Sequence, residues 1–275
     1  MLEDRYFLDE GHYVVTAAMA GISKNRWCHI YDKDITDSNF EQIMKNNRFD
    51  CLPITGSKND ISEYFITSKS GEFEIIKRQK VRYNELIKHD LPIEDLVSYF
   101  NKSEKHFAFI EFNGRIAGLV TPSNLNCKQV QIYLFTLICD IERKLSDLIE
   151  TRIKETNILN HLKDFCATNR YEKITRDFNS TKTKGLDERI TEFLFFKEII
   201  QLIKHFKLYS ELDYSSQEWS EKSSINHLRN KVAHPTRSLI NKNYSINTLD
   251  TNILKMRELI FRLNNWSSKN QSIYR

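Results

Sequence analysis

Glycine and proline are concentrated in the first part of the chain, and this asymmetry limits what each part can fold into. Six of the seven glycines and three of the four prolines precede residue 123. Both residue types interrupt regular structure and mark turns. The first part is therefore predicted to consist of short elements joined by turns, and the second part is predicted to be helical.

The composition is that of an ordinary globular protein with a mild positive charge. Of the 275 residues, 40% are hydrophobic and 28% are charged, and the formal net charge is +4. No apolar run approaches the ~18 residues that a membrane span needs, and the acidic first residues lack the order of a secretory signal. Five cysteines without a C-x-x-C pair favour free thiols over disulfides or a zinc site. We expect a cytoplasmic protein without a membrane partner, whose charge permits an RNA ligand but indicates no DNA specificity.

A helix, a strand, a tight turn and a second strand follow one another between residues 92 and 120. Pro92 precedes a helical face formed by Ile93, Leu96, Val97 and Phe100. Asn113-Gly114, between two β-rich runs, is a strong hairpin signal. The same order appears upstream, with a short helix face of Phe40, Ile43 and Met44, a strand near 49–54, and further strands in YFIT and EFEII.

The ends of these two segments also match residue by residue. Four pairs of positions correspond at a spacing of 39 residues: Val81 with Val120, Arg82 with Thr121, Glu85 with Asn124, and Leu86 with Leu125. Self-similarity at a fixed spacing is typical of internal duplication. The sequence therefore predicts a duplicated α/β module.

The stretches FDCLPI (49–54) and FIEFNGRIAGLVTPSNL (109–125) resemble the repeats of cystathionine-β-synthase (CBS) domains, and the likeness covers roughly residues 12–125. Pairs of these domains bind adenosine-type ligands between the repeats, where a Thr or Ser and an acid hold the ribose. The resemblance implies an adenine nucleotide as a regulatory ligand, with Thr121, Asn124 and Glu85 as its contacts. Asn124 replaces the usual acid of one repeat, and Arg82 replaces the usual Thr of the other. Thr121 has an alternative role as the cap of a helix starting near Ser123.

Helical spacing dominates after residue 125. Apolar residues in steps of 4, 3, 4 and 3 predict a long helix over about 127–153 and a last helix through 249–263. The segment 190–206 is apolar nearly all round and predicts a buried helix. The polar stretch 165–189 is predicted to be a loop, either solvated or beside an active site. Short connections favour an antiparallel bundle.

The segment HLRNKVAHP (227–235) is predicted to end a helix. Its apolar stripe consists of Ile225, Leu228 and Val232. Ser223 or Ser224 is a natural cap at its start, and Pro235 disfavours helical geometry at the residue before it. The helix should therefore end at His234, with Asn230 and His234 on one face.

An imidazole and a guanidinium near a helix end suit acid–base chemistry on a phosphodiester without a metal. The negative end of the helix dipole favours imidazolium at His234, which can exchange a proton with a ribose 2′-OH or a leaving oxygen. Arg229 can stabilise charge on the phosphoryl oxygens. An Arg and a His at a helix end are more often plain surface residues, so their spacing alone does not decide.

In this helical context, RNKVAHP resembles the signature of the HEPN superfamily (higher eukaryote and prokaryote nucleotide-binding), in which four to six residues separate an Arg from a His. The likeness covers about 126–275. Many members are metal-independent endoribonucleases that pair two such motifs in a dimer, and others serve only as interaction domains. The resemblance implies Arg229, Asn230 and His234 as catalytic residues of a homodimer, and products with a 2′,3′-cyclic phosphate and a 5′-hydroxyl. Lys231 and Arg237 are candidates for RNA contacts by charge alone.

The sequence thus predicts an α+β protein of two domains, with tandem CBS-like α/β repeats over 1–125 and an all-α, HEPN-like helical bundle over 126–275. The leading hypothesis is an endoribonuclease, cutting RNA such as tRNA, that an adenine-nucleotide-sensing CBS pair regulates. A toxin or an anti-phage defence effector is its expected setting. The alternative is a non-catalytic nucleotide sensor whose helical domain mediates dimerisation or partner docking. A third hypothesis makes the helical domain the target of a nucleotide-transferring partner.

Overall fold

The computed structural model describes residues 14–36, 39–69, 72–103, 105–186, 188–234, 236, 238–242 and 244–271. The chain divides into two compact units, one of Met1–Tyr133 with Ser238–Asp250 and one of Leu134–Arg237 with Thr251–Arg275. Within the described residues, no helix combines the length and the apolar character needed to cross a membrane.

The described part of the first unit contains two four-stranded sheets. In chain order the strands are β1 (Ile22–Ser23), β2 (Ile30–Tyr31), β3 (Cys51–Thr55), β4 (Ile61–Lys69), β5 (Glu72–Lys80), β6 (Leu86–Lys88), β7 (Ala108–Phe112) and β8 (Arg115–Val120). One sheet has the order β2-β3-β4-β5, and the other has the order β1-β8-β7-β6. The helices that accompany the strands are α1 (Ala17–Ala20), α2 (Asn39–Asn47) and α3 (Ile93–Ser103).

The two sheets repeat one topology, which confirms the predicted duplication of an α/β module. In each module a helix connects two parallel strands, as in β2-α2-β3 and β6-α3-β7. A third strand, β4 or β8, then pairs antiparallel with the second. The fourth strand differs in origin, because β5 follows β4 directly whereas β1 precedes both modules in the chain.

Local chemistry accounts for the elements of the second module. Asn113 and Gly114 connect β7 to β8 with φ values of 51° and 73°, and a two-residue hairpin turn favours two positive values. Helix α3 begins directly after Pro92 and buries Ile93, Leu96, Val97 and Phe100. The predicted hairpin and the predicted amphipathic helix are both confirmed.

Aromatic side chains fill the space between the two sheets. The ring centroid of Tyr64 lies 5.2 Å from that of Phe107 and 5.5 Å from that of Phe109, and Trp27 lies 6.2 Å from Phe109. Such edge-to-face pairs contribute about 0.5–1.5 kcal/mol each beyond the burial of their area. The aromatic cluster therefore ties the two modules together within the first unit.

The C-terminal region is helical, as predicted. In chain order its helices are α4 (Lys128–Arg152), α5 (Glu155–Phe165), α6 (Thr168–Thr183), α7 (Phe196–His205), α8 (Ser216–Glu221), α9 (Ser223–Val232) and α10 (Ile246–Gln271). Helices α4 and α10 match the two predicted from spacing, and their apolar stripes are buried: Leu134, Ile138, Ile141, Leu145 and Leu148 on α4, and Leu249, Ile253, Met256, Ile260 and Leu263 on α10.

The polar stretch 165–189 is mostly helical, so the prediction of a loop was wrong. Within α6, Ile174 and Phe178 are one turn apart and buried. Arg170 of the same helix forms an ion pair with Glu198 of α7. Tertiary packing of a few anchors can stabilise a helix whose composition is largely polar.

The segment 190–206 is divided rather than forming the single predicted helix. A 3-10 helix covers Ile190–Phe193, and α7 begins only at Phe196. The Glu198 Oε2 atom accepts the backbone N–H of Phe195 at 2.7 Å, which satisfies a donor at the helix start. The nearly continuous apolar sequence conceals this boundary.

Candidate functional site

Helix α9 carries the predicted motif and buries the predicted stripe of Ile225, Leu228 and Val232. The predicted serine caps are wrong, because only Lys222 separates α8 from α9 and both hydroxyls bond elsewhere. Ser223 Oγ donates to the Ser220 carbonyl oxygen at 2.8 Å, and Ser224 Oγ donates to Asn252 Oδ1 of α10 at 2.7 Å. The second of these bonds fixes the start of α9 against α10.

His234 lies just beyond the C-terminal end of α9. The last helical residue is Val232, Ala233 follows as the C-cap, and the His234 N–H donates to the Lys231 carbonyl oxygen at 3.2 Å. The helix thus ends two residues earlier than predicted. His234, the residue before the proline, is outside the helix, in agreement with the restriction that proline places on it. Asn230 and His234 therefore do not share a helical face, although both side chains are exposed.

Arg229 lies on the last turn of α9 and pairs with Glu142 of α4. Its Nε atom is 3.4 Å from Glu142 Oε1, and the two side chains are 31% and 25% exposed. Burial raises the pKa of Glu142, although the Arg229 guanidinium opposes this shift. The carboxylate is thus harder to ionise than an exposed one, and its charge is matched by a fixed cation.

Sequence reasoning missed Glu142 as a partner of the motif. It follows Ile141 of the buried α4 stripe, and a carboxylate beside such a stripe is usually a solvated residue. It is also 87 residues away from Arg229. Only the packing of α4 against α9 brings the two side chains together.

The three motif residues lie at one helix end, and among the described residues no hydrogen bond joins the side chains of Arg229, Asn230 and His234. Lys231 is half-buried, and Arg237 lies outside the described residues. No group of three or more His, Cys, Asp or Glu side chains in the described part of the chain could hold a metal ion. The helix end therefore offers a half-buried guanidinium and two exposed side chains, which can bind an anion and exchange a proton.

A second candidate site is a cavity of about 220 Å³ in the first unit. Its lining residues are Asp50, Ile66, Thr67, Glu85, Lys105, His106 and Phe107. Glu85 is only 7% exposed, and it accepts hydrogen bonds from the Tyr64 hydroxyl and from the Arg82 N–H, both at 2.9 Å. Lys105 Nζ lies 4.0 Å from Glu85 Oε1.

Burial shifts the pKa of two groups at this cavity, Lys105 in its lining and Tyr64 beside Glu85. Burial lowers the pKa of Lys105, whose Nζ donates to the Asn84 carbonyl oxygen at 2.9 Å. Burial and the hydrogen bond to Glu85 raise the pKa of Tyr64, so the phenol keeps its proton and remains a donor. A polar ligand in the cavity would meet a buried carboxylate and a partly desolvated ammonium.

Thr121 and Asn124 form the corresponding turn of the second module. Asn124 Oδ1 accepts the Thr121 N–H at 2.7 Å and the Thr121 hydroxyl at 2.9 Å, just as Glu85 accepts the Arg82 N–H. Thr121 stands at the N-cap position of a 3-10 helix, Pro122–Asn126, close to the alternative role predicted for it. Thr121 and Asn124 bond to each other and do not line the cavity that contains Glu85.

Comparison with known proteins gives similarities to solved structures over the N-terminal part of the chain. No family model matches the chain, and no curated protein matches it. Similar solved structures include a hemolysin-like protein containing a CBS domain from Oenococcus oeni, at 12% identity and a TM-score of 0.31, with 41% of this chain and 88% of that chain covered. A CBS-domain containing protein from Agrobacterium tumefaciens has 12% identity and a TM-score of 0.30, covering 44% and 95%. Hypoxic Response Protein I with two coordinated zinc ions has 14% identity and a TM-score of 0.29, covering 40% and 96%. The N-terminal part of this chain is thus similar to CBS-domain proteins at low identity.

Proposed function

We propose that the chain is a metal-independent endoribonuclease of the HEPN type, with Arg229, Asn230 and His234 as its catalytic residues. The observation that carries the proposal is the end of α9, where an exposed imidazole follows a half-buried guanidinium by five residues. The resemblance of the motif to the HEPN signature supports the same function. The predicted domains over 1–125 and 126–275, and the HEPN-like character of the bundle, are part of this proposal.

The proposed reaction is an internal transesterification of RNA. His234 accepts the proton of a ribose 2′-OH while the 2′-oxygen bonds to the adjacent phosphorus. The bond between that phosphorus and the 5′-oxygen of the next nucleotide breaks. The leaving oxygen takes a proton, so the products carry a 2′,3′-cyclic phosphate and a 5′-hydroxyl. Arg229 stabilises the charge on the phosphoryl oxygens. A homodimer would supply a second His234 as the proton donor.

The test is cleavage of tRNA and total RNA by the purified chain in the presence of EDTA. His234→Ala and Arg229→Ala should each lower the rate by at least about 100-fold, because positioned proton transfer and charge stabilisation contribute on that scale. His227→Ala is a matched control, since His227 is an exposed histidine of the same helix outside the motif. Equal cleavage by wild type and by both motif variants would mean that a contaminant cuts the RNA.

A second function, favoured by the Glu85 cavity, is the binding of a regulatory adenine nucleotide by the first unit. The buried Glu85 carboxylate could accept hydrogen bonds from a ribose, and Lys105 could meet a phosphate. Thr121 and Asn124 are candidates for a second, separate contact. Without catalysis, this function would leave a nucleotide sensor whose helical region dimerises or docks a partner.

Thermal unfolding with ATP, ADP, AMP and S-adenosylmethionine tests the sensor. A ligand that binds only the folded state adds about 2.7 kcal/mol to the free energy of unfolding at 100 times its dissociation constant. Lys105→Ala should reduce the shift, whereas Lys102→Ala, which removes an exposed lysine of α3, should not. If no nucleotide raises the unfolding temperature of the wild type, the sensor function is wrong. If a nucleotide does raise the unfolding temperature, the same nucleotide is added to the RNA-cleavage assay, and its effect on the cleavage rate measures regulation.

A further inference from the structure

Arg229 differs from two other paired arginines of the second unit, Arg170 and Arg262, in which of its guanidinium nitrogens are bonded. Arg170 donates hydrogen bonds from Nε and Nη2 to the Glu198 carboxylate, and Nη2 also donates to the Phe193 carbonyl oxygen. Arg262 donates hydrogen bonds from Nη1 to two backbone carbonyl oxygens and from Nη2 to the Glu258 carboxylate. Arg229 bonds through Nε alone, and among the described residues no acceptor contacts its Nη atoms.

From this geometry we infer that Glu142 is a positioning residue, which holds Arg229 by Nε so that its two Nη groups are free to bind the scissile phosphate. The inference rests on the proposed RNA cleavage and adds a residue from α4 to that site. A guanidinium offers several donors in a rigid fork, so fixing one edge sets the direction of the others. The Nη groups can then bind two phosphoryl oxygens in a bidentate manner.

The burial of the pair supports this role. Side-chain exposures of 31% and 25% mean that both charges have lost much of their water, so each depends on the other for stabilisation. Without Glu142, the arginine side chain would be free to turn towards solvent. Misplacement of a catalytic group by about 1 Å can cost a factor of about 100 in rate.

The test compares RNA cleavage by Glu142→Ala, Glu142→Gln and wild type, with thermal unfolding to check that each variant is folded. Glu142→Ala should lower kcat by about 10-fold to 100-fold. Glu142→Gln, which keeps an acceptor for Nε and is the variant to rely on if Glu142→Ala fails to fold, should recover part of that loss. Asp147→Ala is the matched control, because Asp147 is another carboxylate of α4 that pairs with an arginine, Arg189, and it should cut at the wild-type rate.

A double variant separates positioning from a merely structural role. If Glu142 acts through Arg229, then Glu142→Ala should cause no further loss in a protein that already carries Arg229→Ala. A structural role would lower the rate in both backgrounds.

The outcomes also distinguish this inference from the proposed function. If the wild type cuts RNA in an Arg229-dependent manner and Glu142→Ala cuts equally well, the inference fails and the proposed function stands. If the wild type binds RNA without cutting it, the same variants are compared by RNA affinity, and equal affinity overturns the inference. If the wild type neither cuts nor binds RNA, both fail.

Discussion

Glu198 shows how single residues of the second unit stabilise a buried charge. Arg170 donates to it twice, from Nε to Oε1 at 2.8 Å and from Nη2 to Oε2 at 2.7 Å. The Phe195 N–H adds a third bond at 2.7 Å, and the Arg170 guanidinium lies 3.8 Å from the centroid of the Phe195 ring. The side chains of Arg170 and Glu198 are 18% and 8% exposed. Either charge left alone would therefore be poorly solvated.

Removal of one member of this pair should be strongly destabilising. Glu198→Ala leaves a buried guanidinium without a counter-ion and should lower the free energy of unfolding by about 3–5 kcal/mol. Arg170→Met combined with Glu198→Leu should cost less, because no unpaired charge remains. Urea unfolding followed by circular dichroism measures both, with Lys173→Ala on the exposed side of α6 as the control. A stable Glu198→Ala protein would show that solvent reaches the pair.

At the scale of elements, predictability followed the strength of the local pattern. Helices α3, α4 and α10 carry complete apolar stripes, and Asn113-Gly114 specifies its turn through backbone conformation. Helix α6 has only two buried anchors in 16 residues, so its sequence is typical of a loop. The start of α7 depends on the Glu198 carboxylate, which a pattern of apolar residues does not register.

The residues of the candidate sites likewise differ in whether a local sequence pattern predicts them. Arg229, Asn230 and His234 can be named from the sequence because they belong to one contiguous motif. Glu142 and Lys105 cannot, because each meets its partner through packing of elements that are far apart in the chain. The exposure of His234 follows from the end of α9, which the proline after it helps to set.

At the scale of the whole molecule, ion pairs lower the pKa of two carboxyl groups, those of Asp140 and Glu258. Burial raises the pKa of Asp140, but hydrogen bonds from Lys144 and Arg143 outweigh it. Burial likewise raises the pKa of Glu258, and its contacts with Lys222 and Arg262 outweigh that effect. In both groups the net shift is downward. The chain already carries a formal net charge of +4, so protonating carboxylates also increases repulsion between positive charges.

Acidification should therefore destabilise the protein. A carboxyl group whose pKa is lower in the folded state stabilises that state when the pH is above the group's ordinary pKa, which is 3.8 for Asp140 and 4.5 for Glu258. This stabilisation is lost as the pH falls through the lower pKa of the folded state. The urea midpoint should decrease between about pH 7 and about pH 3. The urea midpoint of Glu258→Gln should decrease less than that of the wild type, because this variant lacks the lowered pKa of Glu258. The urea midpoint of Glu142→Gln should decrease more than that of the wild type, because the raised pKa of Glu142 favours folding as protons are added. Equal decreases in all three proteins would contradict the assignment.

The different origins of β1 and β5 have a consequence for how the duplicated stretches can be separated. The fourth strand of the first module's sheet is β5, which follows β4 in the chain. The fourth strand of the second module's sheet is β1, which precedes the first module in the chain and whose Ile22 and Ser23 pair with Leu119 and Gly118. A fragment that begins at the second copy would leave behind the outer strand of its own sheet. The two copies are thus interlaced, and a cut placed at the repeat spacing would not yield two independent halves.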